Sequence, residues 1–300
     1  MTWRIVSIGR NAKLDLKLGY LVIRYEDVVK IHLSEIAVLI IESTAVSITA
    51  ALLCELSKYK IRVIFCDTSR NPYGELLPYY GSHDSVEKLR SQINWSDVNK
   101  SIVWSEVIKE KIRMQSMVLQ GNGHHDASVQ LHAYINEMKP GDTTNREGHA
   151  AKIYFNKLFG KDFSRKDDNP INSCLNYGYS IILAIVNREI AIAGYSTQLG
   201  IFHDNMFNHY NLGSDLMEPF RPLVDMFVVT RLPIKFDTDE KRDLISYITS
   251  DVKIDGKTSS FLNAVRVCVR SVIESTESGD SRQIKFCDYE SKIHESNSVL

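Results

Sequence analysis

The apolar residues of this chain change period once, near Asp84, and that change limits what it can fold into. In LDLKL, Leu14, Leu16 and Leu18 alternate with Asp15 and Lys17, the two-residue period of a half-buried strand. Gly19 then permits a tight turn. Trp3, Ile5 and Ile8 before it, and the runs LVIRY, VVKIHL, AVLIIE and IRVIFCD after it, are rich in β-branched residues and read as further strands. One helix interrupts them over 46–58, where Val46, Ala50, Leu53 and Leu56 recur at helical spacing.

Beyond Asp84 apolar residues return at intervals of three and four. Helices are expected over 85–94, 96–120, 125–138, 144–159, 170–193, 214–229, 238–249 and 259–275. Ser96 and Ser214 suit N-caps, and Pro170 suits a first turn where its missing N–H costs nothing. The stretch 66–84 is rich in Pro, Gly, Ser, Asn and Asp and reads as the junction, with Leu76, Leu77, Tyr79 and Tyr80 suggesting a packed connector that has room for one more strand. The expected fold is α+β: a β-rich, sandwich-like domain over 1–78, a linker over 79–84, a larger all-α domain over 85–275 and a flexible tail over 276–300.

Composition removes some classes of function. With 36 Lys and Arg against 37 Asp and Glu, the net charge of −1 supplies no global field toward nucleic acid, so DNA binding must come from local patches. No run approaches a membrane span and the N-terminus has no signal-peptide pattern, so a cytoplasmic protein is expected. Cys54, Cys66, Cys174, Cys268 and Cys287 show no C-x-x-C spacing and are expected to be buried, reduced thiols.

Three distant stretches each offer one hard-metal ligand: Glu147 in TNREGHAAK, His203 in LGIFHDN and Glu218 in SDLMEPFRP. Brought together, two carboxylates and an imidazole suit Mg²⁺ or Mn²⁺. Each also has an ordinary reading. Glu147 lies three residues after Thr144, the spacing of a capping box, although Gly148 behind it implies a close approach. His203 follows Gly194 and Gly200 on a loop, where Asp204 or Asn205 can orient its ring. Asp215, Glu218 and Arg221 share one helical side, so Glu218 can simply pair with Arg221. Pro219 and Pro222 argue for a break in that helix.

Taken together and in that order, TNREGHAAKIYF, LGIFHDN and SDLMEPFRPLVD resemble the CRISPR-associated spacer-acquisition integrases, over nearly the whole chain. HLSEIAVLIIEST, IRVIFCD and LPYYGSHDS resemble the form found in type II systems. The resemblance implies that Glu147, His203 and Glu218 are catalytic metal ligands, with Asp215 as a supporting acid. Arg146, Lys152 and Arg221 lie beside them in sequence and are candidate DNA phosphate contacts.

It implies strand transfer, in which the 3′-OH of a captured DNA fragment attacks a phosphodiester at a repeat boundary. It further implies a homodimer joined through the β-rich domain, a small ferredoxin-like adaptation subunit in a heterohexamer, and binding of double-stranded prespacer and leader-repeat DNA. A type II effector nuclease and accessory adaptation proteins are further partners, and a membrane is not. Two other readings remain open from the residues: a general metal-dependent nuclease in repair, and a DNA-binding scaffold with a vestigial metal site.

Overall fold

The computed structural model describes residues 4–68, 70, 72–76 and 83–289. They belong to two compact units, Met1–His83 and Asp84–Leu300.

The first unit contains β1 (Arg4–Ile8), β2 (Ala12–Lys17), β3 (Tyr20–Arg24), β4 (Val28–His32), β5 (Ile36–Ile41), β6 (Val46–Ile48), α1 (Ala50–Lys58), β7 (Arg62–Cys66) and β8 (Pro72–Leu76). Two four-stranded sheets form, in the orders β1-β5-β7-β8 and β4-β3-β2-β6. β5 is buried at every position and pairs in parallel with β1 and β7, which explains its unbroken apolar run. Leu14, Leu21 and Ile23 from one sheet pack with Ile36, Leu39 and Val63 from the other and with Leu52 and Leu56 of α1.

Three expectations for this unit are corrected. Leu18 is not a strand residue but sits with Gly19 in a two-residue hairpin turn at positive φ, and is 88% exposed. The helix expected from Val46 starts at Ala50, because Val46–Ile48 pairs in parallel with β2 and Thr49 caps the helix. Cys54 is exposed, unlike the other four cysteines, and all five are free thiols. The additional strand is β8, antiparallel to β7; Leu77, Tyr79, Tyr80 and most of the expected linker lie outside the described residues.

The second unit contains α2 (Ser85–Ile93), α3 (Asp97–Gly121), α4 (His125–Glu137), α5 (Arg146–Phe159), α6 (Pro170–Ile192), α7 (Asn211–Leu216), α8 (Arg221–Arg231), α9 (Thr238–Thr249), β9 (Val252–Ile254), β10 (Lys257–Ser259), α10 (Phe261–Ser278) and β11 (Cys287–Asp288). Ser96 caps α3 by accepting from Asn99 N, and Pro170 opens α6 behind the cap Asn169. α3 is the central helix, packed against α4, α5, α7, α8 and α10. Among the described residues no helix is long and apolar enough to cross a membrane.

This unit is not all-α, since β9, β10 and β11 form a small antiparallel sheet in the order β10-β9-β11. Asp255 and Gly256 make its two-residue turn at positive φ. The helix expected over 214–229 is three pieces: α7, a 3₁₀ turn at Glu218–Phe220, and α8. Ser214 therefore lies inside α7, whose N-cap is Tyr210. The expected tail is also corrected as far as Tyr289. α10 runs to Ser278, Ile254 and Lys253 of β9 pair with β11, and Tyr289 is 1% exposed; residues 290–300 lie outside the described residues.

Candidate active site

Glu147 enters the site because other residues cap its helix. The Asp142 carboxylate accepts the amides of Arg146 at 2.7 Å and Glu147 at 2.9 Å, and Asn145 Oδ1 accepts from Gly148 N at 3.3 Å. Asn145 is left-handed, at φ 51°. The capping box expected from Thr144 to Glu147 is thus replaced, and the Glu147 carboxylate reaches α3, where Lys111 Nζ donates to its Oε1 at 2.6 Å. Gly148 does mark a close approach, but of this cap: a Cβ there would lie 2.7 Å from Asn145 Oδ1.

Glu218 stands at the break between α7 and α8, where Pro219 and Pro222 deny the continuous helix its hydrogen bonds. Its side chain is buried. Oε2 lies 2.5 Å from Lys111 Nζ and Oε1 lies 2.9 Å from Arg221 Nε. The expected Glu218–Arg221 pair therefore exists, with Glu218 buried and Arg221 partly exposed. Arg221 also stacks 4.7 Å from the centre of the Tyr179 ring, and the Tyr179 hydroxyl donates to Asp225. Burial alone would push the Glu218 carboxyl up, yet Lys111 and Arg221 outweigh it and hold it below its ordinary value. Burial would likewise discharge Lys111, but Glu218 and Glu147 keep its pKa raised.

The loop carrying His203 is organised by Asp215, which is fully buried. Asp215 Oδ2 accepts the amides of Ile201 at 2.6 Å and Phe202 at 3.0 Å, while Oδ1 accepts His203 N at 3.1 Å and contacts His203 Nδ1 at 2.6 Å. Asp215, not Asp204 or Asn205, orients the ring, and Nε2 is the nitrogen it leaves unengaged. Phe202 stacks on Trp104 of α3 with centroids 4.4 Å apart, and His203 meets Trp104 edge-on at 5.8 Å. The hydrogen bond that Asp215 accepts raises the His203 pKa against the opposing effect of burial, and the charges of Glu218 and Glu147 add to it.

The fold thus gathers Glu147, Glu218, His203 and Asp215 on one side of α3, with Arg221 beside them. Arg146 points elsewhere: it pairs with Glu137 at 2.7 Å and lies over the Tyr134 ring. Lys152 is exposed on α5. Among the described residues no three His, Cys, Asp or Glu side chains already form a metal cage, because both carboxylates close on the Lys111 ammonium instead. The donor set nevertheless fits a hard divalent cation. Two carboxylate oxygens converge on one positive charge, an imidazole nitrogen is unengaged by its partner, and buried Glu218 Oε2 is held by charge without an aligned hydrogen bond.

Sequence reasoning missed Lys111, Asp142 and Tyr289. Lys111 had a signal, since Trp104, Ile108, Lys111, Gln115 and Val118 fall on one stripe of α3, and a buried lysine requires an acidic partner. Asp142 lies on an irregular turn, and Tyr289, whose hydroxyl donates to the carbonyl of Pro219, lies in a segment with few apolar residues.

The family model described as CRISPR associated protein Cas1 matches residues 6–241. The CRISPR-associated endonuclease Cas1 of Neisseria meningitidis serogroup C (strain 8013) is 34% identical over 291 residues, covering 95% of this chain and 96% of that protein. In fold, the chain is similar to part of a Cas6-RT-Cas1–Cas2 complex, with a TM-score of 0.74 and 17% identity over 94% of this chain and 36% of the longer one. It is also similar to a casposase bound to integration product, with a TM-score of 0.70 and 18% identity over 93% of this chain and 92% of the other.

Proposed function

The chain belongs to the Cas1 family, and on that premise we propose that it is a nuclease-integrase of CRISPR adaptation that joins captured foreign DNA to the CRISPR array. The observation that carries the mechanistic part is the convergence of Glu147 and Glu218 on one cationic point, 2.6 and 2.5 Å from Lys111 Nζ, with His203 in the electrostatic reach of both.

The proposed reaction is a transesterification. The 3′-OH of the incoming fragment attacks a repeat-boundary phosphodiester, one P–O bond forms as another breaks, and the displaced strand leaves with a 3′-OH. Glu147, Glu218 and His203 are the residues that would hold Mg²⁺ or Mn²⁺, which when bound neutralises charge on phosphorus oxygens and eases deprotonation of the attacking hydroxyl. Asp215 fixes the His203 ring and its loop before substrate arrives. Arg221, held by Glu218 and the Tyr179 ring, offers a guanidinium next to the carboxylates for the scissile phosphate, and exposed Lys152 offers a second charge for flanking backbone.

The proposed assembly is a homodimer joined through the β-rich unit, with a small Cas2-like subunit bridging two dimers on double-stranded prespacer and leader-repeat DNA. The test incubates the chain and such a subunit with a 3′-OH duplex, a repeat-bearing plasmid and Mg²⁺ or Mn²⁺. Covalently joined DNA that disappears with chelator, and in Glu147→Ala, His203→Ala and Glu218→Ala, is expected. Free cleavage ends without joining would instead make the protein a general nuclease, and joining that persists in any of these variants would remove that residue from the site.

A further inference from the structure

We propose that Lys111 is a built-in counter-cation of this site, which holds Glu147 and Glu218 together by itself and competes with a divalent ion for the same two oxygens. The inference rests on the proposed function's assignment of those carboxylates as metal ligands.

Lys111 reaches the site from α3, is 7% exposed, and places Nζ 2.6 Å from Glu147 Oε1 and 2.5 Å from Glu218 Oε2. Two carboxylates at such close quarters, Glu218 buried and Glu147 partly exposed, repel one another unless a cation lies between them, and the ammonium meets that requirement. The local charge is already balanced, with Glu147 and Glu218 opposed by Lys111 and by Arg221 on the other oxygen of Glu218.

A divalent ion added to this cluster would place two further positive charges within a few ångströms of Nζ. At that separation the repulsion is large even with an effective dielectric constant of about 20, so the ammonium must leave the carboxylates or the ion must bind weakly. Nζ stands equally close to both oxygens, 2.6 Å from Glu147 Oε1 and 2.5 Å from Glu218 Oε2, so a divalent ion contests both contacts. Lys111 accordingly keeps the acidic pair assembled and weakens its grip on the metal.

The experiment measures Mn²⁺ binding to the full chain by the electron paramagnetic resonance signal of the free ion, together with thermal unfolding with and without Mn²⁺. Lys111→Met keeps the length of the side chain and removes the charge; Lys111→Arg keeps the charge. Expected are at least tenfold tighter Mn²⁺ binding in Lys111→Met than in wild type or Lys111→Arg, and a larger rise of its melting temperature with Mn²⁺.

Equal or weaker binding in Lys111→Met overturns the inference, and if wild type still binds Mn²⁺ the metal-site reading survives. Absence of binding in both wild type and Lys111→Met overturns both readings, whereas binding in Lys111→Met alone supports the competition. If Lys111→Met does not fold without the ion, folding restored by Mn²⁺ supports the inference and failure to restore it overturns it.

Discussion

His203 Nδ1 lies 2.6 Å from Asp215 Oδ1, and the same carboxylate accepts the amides of Ile201, Phe202 and His203. One side chain therefore fixes both the ring and the loop that carries it. Asp215→Asn retains the size of the group but removes its charge and brings an NH₂ toward N–H donors. We expect a stability loss of about 2–4 kcal/mol in chemical denaturation. On the proposed role of His203, DNA joining should fall about 10- to 100-fold, the usual cost of losing a group that orients a metal-binding histidine. The His203 pKa should also move down, because its largest upward cause is gone; histidine NMR titration reads this directly. An unchanged titration would disconnect Asp215 from the ring.

The loop has a second requirement, at Gly200. A Cβ there would lie 2.3 Å from the carbonyl oxygen of His203 and 2.7 Å from Asp215 Oδ2, and both neighbours are held by the network just described. Gly123 is a useful contrast, with φ of +80° and nothing within 4 Å of its Cβ position. Gly123→Ala should cost about 1 kcal/mol from backbone strain alone and leave joining intact. Gly200→Ala should cost more than this and abolish joining, because His203 must move. Equal melting temperatures and rates for the two variants would refute the steric argument.

The fold was legible in sequence wherever one face of an element meets water and the other the core. β2 alternates, with Ala12 and Leu14 buried around exposed Lys13, and α3 begins after Ser96 because a serine hydroxyl is a good substitute for a missing carbonyl. The failures follow from competing local physics. Val46–Ile48 has helical spacing relative to Leu53, yet three residues beside an open strand gain more by pairing with β2. The segment 214–229 reads as one amphipathic helix, but its two prolines divide it and turn Glu218 inward. Glu147, His203, Glu218 and Asp215, which the fold gathers, were each singled out in sequence, whereas their partner Lys111 sits in a largely apolar stripe of α3. Spacing shows which residues share a face, but not which distant carboxylate will neutralise a buried ammonium.

Asp225 gives the protein a pH dependence separate from that of Glu147, Glu218 and His203. It is buried beneath Tyr179, and burial raises its pKa to about 6 from 3.8 against the opposing hydrogen bonds and Arg221. Below pH 3.8 the group is neutral in both folded and unfolded chains. Between 3.8 and 6 the unfolded chain loses the proton first, so this residue's contribution to stability falls as pH rises and then levels off. The shift corresponds to about 3 kcal/mol at neutral pH. Asp225→Asn cannot titrate, so its stability relative to wild type should increase steadily from pH 4 to pH 6 and remain constant above. Denaturant melts across that range measure the difference, and a flat difference would show that Asp225 is ionised normally in the fold.

Tyr289 ties the end of the described chain to the break that presents Glu218. Its ring is 1% exposed and its hydroxyl donates to the carbonyl of Pro219, the residue after Glu218. Tyr289→Phe removes only the donor, leaving that buried carbonyl without this partner, and should lower stability by about 1–2 kcal/mol. Because the same 3₁₀ turn holds Glu218 between Lys111 and Arg221, relaxation of the turn also shifts a carboxylate of the site. A barrier increase of about 1.4 kcal/mol would appear as tenfold slower joining, measured at a temperature well below both melting transitions so that unfolding does not contribute. A lowered melting temperature with an unchanged joining rate would confine Tyr289 to stability. A rate loss shared with a Pro219→Ala variant, in which the turn itself is loosened, would assign the effect to the position of Glu218.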